Sequence, residues 1–129
     1  MKLQTINGSF IVCKLSDTTQ VDFSQEFVFL SKTDDEISLV CEAAYTPPNT
    51  TAIELGWRGF KVMGVLDFSM IGVIAKISAI LAAADISIFV VSTYNTDYIF
   101  VKSEVYDKCA ETLVQEGYKF VNNADESGQ

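Results

Sequence analysis

The sequence predicts an α+β fold whose C-terminal half runs β-α-β-β-α-β, the split βαβ arrangement. Three observations predict it. Apolar residues change period, from a strand-like run over residues 60–66 to helical spacing from Met70 onward. A second run, residues 86–94, is β-branched and apolar on both faces, as a central strand is. A third stretch, residues 104–116, is amphipathic and stops at Gly117 before a last short apolar run. Two right-handed crossovers then set both helices on one face of a four-stranded antiparallel sheet.

Taken in order, residues 9–15 (SFIVCKL) and 27–33 (FVFLSKT) read as strands, and Asp34-Asp35-Glu36 as a polar turn into a third strand at 37–41. Between the first two, residues 16–25 have room for one helical turn at most. Residues 42–56 carry Thr46-Pro47-Pro48-Asn49-Thr50-Thr51, a loop composition, and are read as the linker. Residues 57–66 form the next strand. Met70, Val73, Ile74, Ile77, Ile80, Leu81 and Ala84 then recur on one helical stripe, with Lys76 and Ser78 off it. Asp85 introduces the strand 86–94, Asn95-Thr96-Asp97 turns it, and 98–102 is its antiparallel partner. The second helix carries Val105, Cys109, Leu113 and Val114 on one face, and residues 118–121 close the order. The expected division is a shortened N-terminal unit plus linker at 1–56, a complete domain at 57–121 and a disordered polar tail at 122–129.

Composition excludes several functions. The 129 residues are 49% hydrophobic and 20% charged, enough apolar surface for a core without metals or disulfides. Net charge is −8, and the nine basic residues are scattered singly, so nucleic acid and anionic lipid are not expected partners. Residues 70–91, the greasiest region, are interrupted by Lys76 and Asp85, and no membrane span is expected. Cys13, Cys41 and Cys109 show no metal-ligand spacing and read as reduced, buried thiols of a cytoplasmic protein. The chain has no histidine, which removes the commonest general base and metal ligand together. No catalytic residue, metal site or cofactor is expected.

Two polar breaks interrupt the apolar pattern. The first is Leu66-Asp67-Phe68-Ser69-Met70-Ile71-Gly72, at the passage from strand to helix. Asp67 or Ser69 is the expected N-cap, and Gly72 is expected inside the first turn, where glycine costs about 1 kcal/mol against alanine. Either Gly72 lets another group pack close, or the helix-start amides, without side-chain cover, face a small anion such as a carboxylate. The second break, residues 92–98 (STYNTDY), is a hairpin turn by composition. It holds more polarity than a turn requires, and an acidic side chain near a helix start offers an ammonium site beside a carboxylate site. A free α-amino acid needs that pair.

At these residues the sequence resembles a known family. Trp57-Arg58, Gly64-Val65-Leu66-Asp67-Phe68-Ser69, Gly72-Val73-Ile74-Ala75, Ala84-Asp85-Ile86-Ser87-Ile88-Phe89 and Ser92-Thr93-Tyr94-Asn95-Thr96-Asp97-Tyr98 are similar to the small tandem ACT-domain proteins of bacteria, and to the ACT modules of the animal cytosolic arginine sensor. The resemblance is dense from Trp57 to Val121 and weaker over residues 9–41. It implies a ferredoxin-like ACT fold of two ACT-like units, the N-terminal one shortened. It also implies a regulatory module that binds a free amino acid or similar small ligand between ACT units, and a homodimer. Carried to matching positions, the ligand loop is Asp67, Phe68, Ser69, Met70, Ile71 and Gly72, with Ile71 and Gly72 giving backbone donors and Thr93, Tyr94 and Asp97 contributing from the strand end.

Trp57 reads as a packing anchor. Lys61 and Lys102 are read as solvated or blunting an edge, and Glu111 and Glu116 as a solvated helix face. The alternative to a sensor is a protein–protein interaction or assembly module whose ligand site is vestigial.

Overall fold

A computed structural model describes residues 1–63 and 72–121; the strand-to-helix loop at 64–71 and the tail at 122–129 lie outside the described residues. The chain forms two compact units, one of Met1–Asn7 with the chain from Arg58 onward, the other of Gly8–Trp57. Two long strands, β1 (Lys2–Leu15) and β4 (Thr50–Val62), contribute to both.

In the unit of Gly8–Trp57 the hairpin of β2 (Val28–Lys32) and β3 (Ile37–Glu42) turns at Thr33, whose amide donates to Glu36 O at 2.9 Å. β3 pairs antiparallel with β1, from Phe10 opposite Glu42 to Lys14 opposite Ser38, and β4 follows β1 in the order β2-β3-β1-β4. Ile11, Cys13, Leu15, Leu39 and Cys41 form the core of this unit. No helix forms between β1 and β2. Asp17 and Asp22 instead accept the amides of Thr19 and Ser24 at 3.0 Å, local turns that compete with helix.

The linker reading of residues 42–56 is corrected: after a 3₁₀ turn at Ala43–Tyr45, the strand β4 begins at Thr50. Residues 51–55 are exposed, so no buried face marked them as strand; backbone pairing with β1 makes them one, with the Ser16 amide donating to Asn49 O at 3.2 Å.

The other unit holds the β-α-β-β-α-β order as β4, α1 (Val73–Ala83), β5 (Phe89–Ser92), β6 (Asp97–Lys102), α2 (Tyr106–Gln115) and β7 (Lys119–Val121). Its sheet differs from the expected four strands. The first half of β1 lies between β4 and β7, giving the order β5-β6-β4-β1-β7, with β1 and β7 parallel over Lys2–Gln4 and Lys119–Val121. Leu3 is fully buried there and Ile6 nearly so, but the polar Gln4, Thr5 and Asn7 between and beside them hide the strand period. The Thr5 hydroxyl meets the Tyr106 hydroxyl at 2.5 Å, and the Arg58 guanidinium lies 4.3 Å from the Tyr106 ring centroid. Ile77 and Leu81 of α1 and Cys109 and Leu113 of α2 share one core with Leu3, Phe60, Val62, Ile99 and Val101, so both helices cover the same sheet face.

Both helices end in the same way. The Ile86 and Asp85 amides donate to Leu81 O and Ala82 O, and the Tyr118 and Gly117 amides to Leu113 O and Val114 O. These are Schellman ends, with Gly117 at φ +98° and Asp85 at φ +60° in the left-handed position. The second helix thus stops at Gly117 as its sequence predicts.

The three cysteines are free and buried, and burial pushes the Cys41 and Cys109 thiols up to about 11 from 9.0. A thiol held protonated by the fold stabilises it fully below pH 9.0 and loses that contribution as pH rises toward 11. Denaturant unfolding of wild type and Cys109→Ala across this window is expected to show a steeper loss of stability in the wild type. At Gly59 an added Cβ would lie 2.7 Å from the Phe100 ring and 3.2 Å from Ile6, both buried. Gly59→Ala is therefore expected to destabilise the fold by about 1–3 kcal/mol in urea unfolding.

Candidate functional site

One end of the β-α-β-β-α-β unit gathers several chain segments. The Met63 amide donates to Lys2 O at 2.9 Å and the Lys119 amide to Met1 O at 3.2 Å, tying β1 to the end of β4 and the start of β7. The Thr96 hydroxyl, buried, donates to Val62 O at 2.8 Å and holds the β5–β6 turn to the same end of β4. The start of α1 and the end of α2 meet there around a cavity of ≈ 270 Å³, lined by Gly72, Val73, Lys76, Glu116 and Tyr118 among others.

Gly72 is the N-cap of α1, not a residue of its first turn. Its φ is +83° and ψ 0°, a left-handed conformation that glycine adopts without strain, and among the described residues an added Cβ would meet nothing within 4 Å. Backbone conformation thus favours glycine at this position by itself. The expected cap by Asp67 or Ser69 is likewise corrected, since the capping position belongs to Gly72, which supplies no side-chain bond. The first helical bond runs from the Lys76 amide to Gly72 O at 2.9 Å, and the amides of Val73, Ile74 and Ala75 precede it. Asp67, Phe68, Ser69, Met70 and Ile71 lie outside the described residues.

Charge is divided across the cavity. The start of α1, the positive end of its dipole, brings Lys76 to the lining, and the end of α2, the negative end of its dipole, brings Glu116. Burial, with the Glu116 carboxylate, pushes the Tyr118 phenol above its ordinary value and keeps it neutral. The arrangement suits a ligand with separated opposite charges.

The second polar break is organised differently. Thr93 closes the turn: its amide and hydroxyl both donate to Thr96 O, at 2.9 and 3.0 Å. Tyr94 is 80% exposed at the tip, and Asp97 is half-buried opposite Ser92 at the start of β6. None of Thr93, Tyr94 and Asp97 lines the Gly72 cavity. Sequence reasoning missed Lys76 and Glu116, taken as off-stripe and solvated positions. Their signal was position, one in the first turn of α1 and the other just before the glycine that ends α2. Thr96, read as a turn residue, is the buried tie between turn and sheet. Among the described residues no three His, Cys, Asp or Glu side chains gather to hold a metal, and no helix is long and apolar enough to cross a membrane.

Known proteins share this architecture. A protein of Agrobacterium tumefaciens, solved by X-ray crystallography, superposes with a TM-score of 0.83 at 32% identity, over 95% of this chain and 92% of that one. A Vibrio cholerae protein of unknown function, described as a possible transport protein, gives 0.68 at 19% identity over 88% of each chain. The regulatory subunit of aspartate kinase from Thermus thermophilus gives 0.61 at 8% identity, over 88% of this chain and 95% of that one, a likeness of fold alone. No curated protein sequence matches. A profile of the ACT domain matches residues 52–115, from the early part of β4 to the last residue of α2. With that profile on the elements that build the cavity, the chain belongs to the ACT-domain protein family.

Proposed function

We propose that this chain is a non-catalytic regulatory protein of the cytoplasm that binds a free amino acid, or a similar small zwitterion, at the mouth of α1 and works as a homodimer. ACT-domain homologues are regulatory amino-acid-binding modules, which supports the ligand class. One observation carries the reading for this chain. Gly72 opens the helix start in a left-handed turn, with no described side chain within 4 Å of where its Cβ would be, onto a cavity lined by both Lys76 and Glu116. A carboxylate is favoured at the helix start by the dipole and the Lys76 ammonium; an ammonium is favoured at the end of α2 by Glu116. The loop residues Asp67, Phe68, Ser69, Met70 and Ile71 complete the proposed site beside Gly72, and Thr93, Tyr94 and Asp97, which do not line that cavity, are proposed to add polar contacts from the turn that Thr96 ties to the same end of β4. Free, buried thiols support a reducing compartment. Ligand binding and assembly are then linked, each stabilising the other by the same factor.

A thermal-shift screen of the twenty amino acids tests this. One of them is expected to raise the melting temperature, and at ~100-fold excess over Kd to stabilise the fold by about 2.7 kcal/mol. Lys76→Ala and Glu116→Gln, both at exposed positions, are expected to weaken that shift. No shift with any of the twenty would leave the assembly module as the better reading.

A further inference from the structure

The cavity beside Gly72 has one lining side chain to which the reading above gives no task. Tyr118 is only 9% exposed and is fixed from two directions. Its amide donates to Leu113 O at 3.1 Å in the Schellman end of α2, and its side chain belongs to the core that holds Leu3, Ile77 and Leu113. A buried tyrosine hydroxyl ordinarily finds a hydrogen-bond partner. Among the described residues the Tyr118 hydroxyl has none. Nor is it one of the polar atoms that the core seals off, so it opens onto the cavity that the residue lines.

Donors are scarce around this space. Met1, Val73 and the two glycines bring no polar side-chain hydrogen, and the Glu116 carboxylate only accepts. Among the described lining residues, Lys76 and Tyr118 are left as the side-chain donors. Burial and the Glu116 carboxylate push the phenol up, so it keeps its proton. A fixed O–H donor that shares a cavity with an ammonium suits an anion, and its bond to a carboxylate is a short, charge-assisted one.

We propose that Tyr118 is a second anchor for the ligand's carboxylate, its hydroxyl donating to the group that the start of α1 and Lys76 also hold. This rests on the amino-acid site in the reading above and narrows its ligands to compounds with a free carboxylate. A carboxylate has two oxygens and about four acceptor positions, enough to take an ammonium, a helix-start amide and a phenol together. The carboxamide of the same amino acid lacks the charge that makes the phenol bond strong. Because the amide and side chain of Tyr118 are already held by the fold, little freedom is lost when the bond forms. Tyr118 is thus a specificity-determining residue, which the α2 end and the core position before any ligand arrives.

Binding of the twenty amino acids to wild type and to Tyr118→Phe, read by thermal shift and calorimetry, tests the anchor. The amino acid that shifts wild type most is then compared with its own carboxamide. Tyr118→Phe removes the hydroxyl and keeps the ring, so the melting temperature without ligand is expected to stay as it is. Its Kd for that amino acid is expected to rise about ten- to a hundredfold, the loss of one hydrogen bond to a charged group. Wild type is expected to prefer the free acid to the carboxamide, and Tyr118→Phe to lose much of that preference. A ring that merely packs would weaken both ligands alike. Undiminished affinity, or equal weakening of acid and carboxamide, overturns the anchor while amino-acid binding stands. A lowered melting temperature of the ligand-free variant overturns it too, since the hydroxyl then bonds within the chain. If wild type binds none of the twenty, the amino-acid reading falls and the anchor falls with it.

Discussion

The β-α-β-β-α-β unit depends on seven residues that lie far from it in sequence. Its sheet places the first half of β1 between β4 and β7, through the Met63-to-Lys2 and Lys119-to-Met1 bonds and the parallel register of Lys2–Gln4 with Lys119–Val121. Without that strand, β7 would have no partner in the described sheet and Leu3 would leave the core it shares with Phe60, Val62 and Leu113. Unpaired backbone groups and lost apolar burial both weigh against such a state. The unit is therefore complete only as a discontinuous one, residues 1–7 with 58 onward. The same strand brings Met1 to the cavity beside Gly72, so the constraint that closes the sheet also shapes the candidate site.

Helix ends give the site its chemistry. Peptide dipoles add along α1 and α2, and at this end of the unit one helix presents amides and the other carbonyls. Lys76 and Glu116 reinforce the two signs rather than oppose them. The left-handed Gly72 and Gly117 let the chain turn sharply at both, without side chains that would fill the space. A cavity of opposite charges thus arises from backbone geometry before any side chain is assigned a role.

Much of the fold was legible because its elements carry their own period. The α1 stripe of Ile77, Leu81 and their neighbours, the Gly117 stop of α2 and the hairpin of β5 with β6 all lie near their expected positions. The elements missed share one property: their strand character comes from pairing, not from a buried face. Residues 51–55 of β4 are exposed, and Gln4, Thr5 and Asn7 interrupt β1. At the site, Gly72 was visible as an anomaly but its cause was not. A glycine that cannot be replaced because of crowding and one fixed by a positive φ look alike in sequence.

By itself, then, the sequence determined what short-range physics determines: helical and strand periods, the breaks between them, the absence of histidine chemistry and the resemblance that named the family. Tertiary structure alone decided which strands are neighbours, because backbone hydrogen bonds between β1, β4 and β7 are blind to residue type. It also decided that Lys76 and Glu116, forty positions apart and unremarkable in sequence, line one cavity, since the meeting of two helix ends is set by packing on a common core.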